Sequence, residues 1–255
     1  MLASTMKTKL RKGELTLGTW MTFDFWPGYL EIYKRAGLDC AILDMEHGAA
    51  SLPMAENLCR TARLLDFPLI LRAEASVYHL LRKYADLGPA GFMLPWVERA
   101  DQVQTLQDAM FCAPQGRRGP GGPSIFAAPS LDRAGWTAIE ESFCVMLQVE
   151  TPAGLERRKR IMAHDWVDAV VLGPYDLSLN LGHCGEMDHP VVVEAITRVV
   201  NQAREIGKPC GMPVGSLEAT RFWQERGCTL ILYSEATAMV QQHVEQFIQT
   251  VRATR

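Results

Sequence analysis

A single (β/α)8 barrel spanning residues 1–255 is the fold this sequence predicts. Three observations point there. One unit recurs, a helical pattern, a glycine, one to three residues and a short apolar strand, as in "RAGLDCAILD", "DLGPAGFMLP", "EIGKPCGMPV" and "ERGCTLILYS". The strands in that unit are nearly continuous apolar runs, the pattern of a parallel sheet covered by helices on its outer face. Eight such strands fit into a length typical of one barrel. A doubly wound open sheet is the competitor, and the missing glycine-rich dinucleotide fingerprint after the first strand speaks against it.

The strands fall at 16–21, 40–46, 68–74, 91–97, 144–150, 169–174, 209–214 and 230–235. Gly37, Gly88, Gly207 and Gly227 stand where helices should stop, since glycine takes the left-handed C-terminal position without steric cost. Between the second and third strands, residues 53–66 set Met54, Leu58, Ala62 and Leu65 on one stripe at helical spacing. The last helix repeats the pattern with Val240, Val244, Phe247, Ile248 and Val251. That stripe suits burial on its own barrel and on a neighbouring subunit equally. One segment breaks the rhythm, from Cys112 to Trp136, rich in Gly, Pro and Ser. Long irregular segments in compact domains are often functional. A ligand-covering role and a structural or subunit-contact role both fit it.

Composition narrows the function classes. The net charge is −3 with 48% hydrophobic residues, so no basic face invites nucleic acid. The longest apolar stretches are of strand length, well short of the ~20 residues that span a membrane. The polar, basic start "MLASTMKTKLRKGE" lacks a signal peptide's apolar stretch. Seven cysteines, an odd number without a C-x-x-C pair, fit free thiols in a reducing cytoplasm. His183, Cys184 and His189 lie close in sequence, but no neighbour completes a metal set.

In a (β/α)8 barrel the working residues stand at the C-terminal strand ends, and the polar residues gather there. The second strand ends in Asp44, Glu46 and His47, the third in Arg72 and Glu74, the fifth in Gln148 and Glu150, and the sixth runs into Asp176. Glu150 and Asp176 leave adjacent strands, whose axes lie about 5 Å apart. Two carboxylates that close repel unless a cation or proton lies between them. An oxygen-only pair favours a hard divalent ion, Mg2+ or Mn2+ more than zinc. Alternatively, each acid caps the helix that follows, for which "ETPAG" reads well. His47 suits a general base, with Asp44 placed to hold a ring nitrogen; a histidine simply bonded into the rim fits as well. Arg72, ending "PLILR", suits a carboxylate or a developing oxyanion. A structural ion pair with Glu46 or Glu74 is its other reading.

"LDMEHG", "LILR", "QVETPAGLE" and "GPYDLSLNLG", in this order, resemble the HpcH/HpaI aldolase family, over nearly the whole chain from "LGTW" through "GRRG" to the last helix. The resemblance implies a class II, divalent-metal-dependent pyruvate aldolase using Mg2+, Mn2+ or Co2+, of the 4-hydroxy-2-oxoheptanedioate aldolase type. It implies that Glu150 and Asp176 hold the metal, that His47 is the base with Asp44 as its partner, and that Arg72 steadies the enolate. It places Gln148, Gly173, Pro174, Tyr175 and Trp20 against the substrate. Tyr175 stands where some members carry alanine, and Trp96 where other residues are common, which bears on the size of the aldehyde. The partners implied are a small 2-oxo acid and an aldehyde, within a homo-oligomer, commonly a hexamer, whose C-terminal helices pack on neighbours. No Schiff-base lysine is required, and Lys83, the nearest by position, falls in a helix. Two other readings stay open, a citrate-lyase-like CoA-thioester lyase and a non-catalytic barrel that binds an oxo acid.

Overall fold

The computed structural model describes residues 3–119, 121 and 132–253. All eight expected strands form: β1 (Thr16–Met21), β2 (Cys40–Asp44), β3 (Leu69–Arg72), β4 (Gly91–Leu94), β5 (Cys144–Val149), β6 (Ala169–Leu172), β7 (Cys210–Val214) and β8 (Leu230–Glu235). Every neighbouring pair is parallel, and β8 closes on β1 to complete a barrel in sequence order. The strands end a little earlier than the apolar runs do, so that Glu46, Glu74 and Glu150 stand in the loops just past them.

Helices α1 (Ser4–Arg11), α2 (Gly28–Ala36), α3 (Leu52–Leu64), α4 (Tyr78–Asp86), α5 (Ala100–Met110), α6 (Arg133–Ser142), α7 (Pro152–Met162), α8 (Pro174–Asn180), α9 (Pro190–Glu205), α10 (Leu217–Glu225) and α11 (Ala236–Ala253) are arranged around the sheet. Their starts carry side-chain caps where the sequence offers them. Ser51 accepts from the N–H of Met54, Thr151 from Gly154 and Ser216 from Ala219, each satisfying a donor the helix leaves open. Their stops use the expected glycines: Gly37, Gly88, Gly207 and Gly227 have φ of 93°, 75°, 70° and 103°.

Side chains alternate between the two faces of each strand, which splits the core. The barrel interior holds Cys40 and Ile42, Ile70, Met93, Cys144 and Met146, Ala169 and Val171, and Leu230 and Leu232. Ala3, Met6 and Leu10 of α1 belong to the same cluster and plug the N-terminal end. Lys7 of that helix donates to the carbonyls of Glu141 and Phe143. The opposite parity packs outward against the helices. Gly91 is needed for close strand approach, since a Cβ there would stand 1.9 Å from the Cys144 carbonyl oxygen.

One expectation changes in detail, and one alternative left open is narrowed. In α3 the buried stripe is Ala55, Leu58, Cys59 and Ala62, while Met54 is exposed, because the helix sits one position further round. The apolar stripe of α11 does not cover its own barrel: Val240, Val244, Phe247, Ile248 and Val251 are all 39–65% exposed. The seven cysteines are free, and five are buried. No helix among the described residues is long and apolar enough to cross a membrane. Of the irregular stretch from Cys112 to Trp136, residue 120 and residues 122–131 lie outside the described residues, and so does its expected role. Its first part runs along α4 and α5, where Arg118 pairs with Asp86 and Arg117 with Asp108.

Candidate active site

Parity places the polar residues. Continuing the inward face of β2 from Cys40 through Ile42 leads to Asp44; that of β3 leads from Ile70 to Arg72, and that of β5 from Met146 to Gln148 and then Glu150. Where apolar residues would otherwise fill the interior, the last inward layer is charged. It forms the floor of a cavity of about 590 Å³ at the C-terminal mouth, lined in part by Trp20, Asp44, His47, Arg72, Gln148, Gly173, Pro174, Tyr175 and Asp176.

Arg72 is the centre of this layer. Its Nε and Nη2 donate to the two oxygens of Asp44 at 2.9 and 2.6 Å, and its Nη1 lies 3.2 Å from Glu46 and 3.5 Å from Gln148 Oε1. Its guanidinium carbon stands 4.6 Å from the centre of the Trp20 ring, a cation–π contact. Asp44 is fully buried. Burial alone would raise its pKa, but the Arg72 hydrogen bonds and charge, with the backbone N–H groups of His47 and Glu46, outweigh that and lower it. Of the two pairings expected for Arg72, the one with Glu46 forms. Glu74 instead accepts the Tyr84 hydroxyl at 2.5 Å.

Asp44 does not take the place beside the imidazole that its spacing suggested. Its oxygens are occupied by Arg72, Thr22 and two backbone N–H groups, one of them that of His47 at 3.3 Å. The carboxylate nearest the ring is that of Glu46, 3.8 Å from His47 Nε2. The His47 side chain itself is 55% exposed and faces the cavity.

Glu150 is 1% exposed. It does not cap α7, where Thr151 does that work, so its carboxylate is left for the mouth. Oε1 accepts the Trp96 backbone N–H at 2.8 Å and Oε2 the Gln148 amide at 2.6 Å. Trp96 reaches it from a left-handed backbone with φ of 50°, unfavourable for a residue with a side chain and typical of functional sites. A Cβ on Gly173 would sit 2.1 Å from Glu150 Oε2, so the glycine makes room for the carboxylate. Burial above all, then the charges of Asp176 and Glu46, push the Glu150 pKa up to about 8, against the Trp96 hydrogen bond and Arg72. Burial likewise raises Glu46, again with a contribution from Asp176. Asp176 stands half-buried in the first turn of α8.

The fit to a divalent ion follows from this arrangement. Arg72 is bound by Asp44 and Glu46, and neither Glu150 nor Asp176 has an ion pair among the described residues. Glu150 and Asp176 offer oxygen-only donors, and a cation between them would take the place of the Glu150 proton, which suits Mg2+, Mn2+ or Co2+.

Glu46 was expected only as an ion-pair partner of Arg72, and its place beside His47 was not. Sequence reasoning missed Thr22, which continues the inward parity of Trp20, and Phe23, Met187 and Glu235, which reach the cavity from loops or strand ends. The histidines of the α8–α9 loop need a correction. Glu186 does complete a potential set with His183 and His189, with candidate ligand atoms all within 4.8 Å of one another. The two rings, however, stack 3.5 Å apart at 18°, so their in-plane lone pairs run side by side instead of converging. His189 Nδ1 is moreover occupied in capping α9, accepting from Val191.

A parallel barrel whose C-terminal mouth combines buried carboxylates, one anchored arginine and an exposed histidine has its ionisable groups where enzymes of this fold carry their active sites. Comparison with known proteins gives the family. The HpcH/HpaI aldolase/citrate lyase profile matches residues 25–210. A hydroxypyruvate/pyruvate aldolase from Delftia acidovorans is 31% identical, over 99% of this chain and 94% of its own. A 2-keto-3-deoxy-L-rhamnonate aldolase from Shigella boydii is 30% identical, over 83% of this chain and 79% of its own. The crystal structure of an HpcH/HpaI aldolase from Desulfitobacterium hafniense superposes with a TM-score of 0.88 at 29% identity, covering 97% of this chain and 96% of that one. The chain belongs to the HpcH/HpaI aldolase/citrate lyase family, and its enzyme class is that of the carbon–carbon lyases.

Proposed function

We propose that the protein is a class II pyruvate aldolase that reversibly cleaves 4-hydroxy-2-oxo acids to pyruvate and an aldehyde, with Mg2+, Mn2+ or Co2+ held by Glu150 and Asp176. The observation that carries this reading is Glu150, a buried carboxyl held near neutrality by burial and by other acids, aligned by two hydrogen bonds and short of a counter-charge. The names of the relatives, aldolases of pyruvate, hydroxypyruvate and a 2-keto-3-deoxy acid, support the same chemistry.

When bound, the ion supplies Lewis acidity to the oxo acid's carbonyl. The chain's own residues do the rest. Gln148 bridges Glu150 and Arg72, so the acidic and basic halves of the site are held in one register. Arg72, fixed on one edge by Asp44 and on its face by Trp20, presents Nη1 to the oxygen that gains charge as the C3–C4 bond breaks. His47, exposed to the cavity and with the Glu46 carboxylate 3.8 Å from its Nε2, takes the proton of the 4-hydroxyl. The backbone of the turn at Gly173, Pro174 and Tyr175 forms the wall against which the substrate carboxylate lies. Addition runs the same proton transfers in reverse.

Protein treated with chelator should lose pyruvate release from a 4-hydroxy-2-oxo acid, followed by coupling to a lactate dehydrogenase, and regain it with Mg2+, Mn2+ or Co2+. Full turnover in the chelator would overturn the class II assignment.

The exposed stripe of α11 packs, in this reading, on a neighbouring copy within a hexamer, and the free thiols suit a reducing cytoplasm. Phe247→Glu should lower the mass seen by light scattering behind size exclusion. An unchanged mass would mean that the stripe is not the interface.

A further inference from the structure

All but one of the ionisable groups named here occupy one arc of the mouth. Asp44 ends β2 and His47 follows it, Arg72 ends β3, Gln148 lies in β5 with Glu150 just past it, and Asp176 follows β6. The remaining arc, running through β7 and β8 to β1, is lined differently. It presents Pro213 and Val214 from β7, Leu232 from β8 and Phe23 just past β1, with Thr22, Ser234 and Glu235 between them, and is flanked by Tyr175 of α8 and Met187 of the α8–α9 loop. Phe23, Tyr175 and Met187 are exposed large apolar side chains, at 68%, 55% and 45%. They face a cavity large enough for a ring-sized group beside a three-carbon oxo acid.

Charge decides what such a wall excludes. Among the described residues lining the cavity, Arg72 is the one lysine or arginine, and it is taken up by Asp44, Glu46 and Trp20. The ionisable group nearest the apolar arc is an acid, Glu235 at the end of β8, whose oxygens accept from Thr237 and from the backbone of Ala238. A carboxylate tail would be desolvated there without a cationic partner and beside a like charge. An apolar tail would instead cover exposed apolar surface.

We propose that the aldehyde half of the substrate is neutral and apolar, with an aromatic or branched aliphatic tail seated on Phe23, Tyr175, Met187, Val214 and Leu232, and that carboxylate-bearing aldehydes are disfavoured. This rests on the aldolase reading above. The step concerned joins C3 of the pyruvate enolate to the aldehyde carbon. The carbonyl π pair moves to the aldehyde oxygen, which takes up one proton to become the 4-hydroxyl.

The test has two parts, both on the Mg2+-loaded protein. Exchange of the pyruvate C3 protons in D2O, read by NMR, reports enolate formation without any aldehyde. Aldol addition is then compared for benzaldehyde, 2-methylpropanal, glycolaldehyde and succinic semialdehyde. The expected result is a kcat/KM for benzaldehyde at least about tenfold above that for succinic semialdehyde. Met187→Arg, which brings a cation to the wall, should shift that ratio toward succinic semialdehyde by about tenfold. If C3 exchange occurs but succinic semialdehyde or glycolaldehyde is used as well as benzaldehyde, or benzaldehyde is not used, the specificity inference is overturned and the aldolase reading stands. If neither exchange nor addition occurs with any aldehyde, the aldolase reading falls.

Discussion

Glu150→Gln is expected to abolish divalent-ion binding and to lower aldol turnover by on the order of a thousandfold, while making the metal-free protein more stable. Both effects come from the same burial. A free glutamate carboxyl titrates near 4.5, and in this fold the Glu150 carboxyl keeps its proton to about 8. Between those pH values folding takes up a proton, so the stability of the metal-free protein falls as pH rises from about 4.5 to about 8 and carries the full penalty above that. Glutamine keeps the side-chain volume and never ionises, so it escapes the penalty. The gain should be a few kcal/mol at about pH 8.5 and should vanish near about pH 4, measured by denaturant unfolding in chelator. Adding Mn2+ should reverse the order, because the ion stabilises only a fold that binds it. Calorimetric titration with Mn2+ is the second readout, and it separates this residue from His47, whose replacement by alanine should leave the affinity in place. A glutamine variant that bound Mn2+ normally, or that lost stability at alkaline pH, would remove Glu150 from the metal site.

How much of this was visible before the structure follows from where the information sits in the chain. The barrel was legible because each β/α unit repeats its own punctuation: Gly37, Gly88, Gly207 and Gly227 all take the left-handed turn that the pattern requires. The floor of the site was legible because it lies on strands, where parity carries an apolar interior into a polar exit at Asp44, Arg72, Gln148 and Glu150. Pairing was less legible. Asp44 is close in sequence to His47, but closeness along the chain does not say which side chain a carboxylate faces. Arg72, arriving from the next strand in register with Asp44, takes both its oxygens. The apolar wall was least legible. Tyr175 was named by the resemblance alone, while Phe23 and Met187 come from loops with no periodicity to read, and the closed barrel brings all three to one cavity. Glu186 was missed beside His183 and His189 for the same reason, since a turn and not a regular element joins them.

Arg72→Lys should lower kcat by on the order of a hundredfold or more while conserving charge, because the site uses the shape of the guanidinium. Nε and Nη2 hold Asp44 along one edge, Nη1 turns to Glu46 and Gln148, and the flat face rests on Trp20. A lysine ammonium is a single point on a flexible stem. It can meet one Asp44 oxygen, but it cannot also hold a fixed direction toward the substrate oxygen. Arg72→Ala tests the structural half of the argument. Asp44 would be left as a fully buried carboxylate without its cation, which costs about 3–5 kcal/mol when one partner of a buried pair is removed. The pH dependence has a definite sign. In the wild type the pair lowers the Asp44 pKa below its ordinary value, so its contribution is complete above that value and is lost as pH falls through the lowered one. The stabilities of wild type and Arg72→Ala should therefore draw together in acid and stand furthest apart at neutral pH. Steady-state kinetics of the lysine variant and unfolding curves of the alanine variant separate the two roles. A lysine variant within twofold of wild-type kcat would leave Arg72 as a structural ion pair and move the stabilisation of the developing charge elsewhere in the mouth.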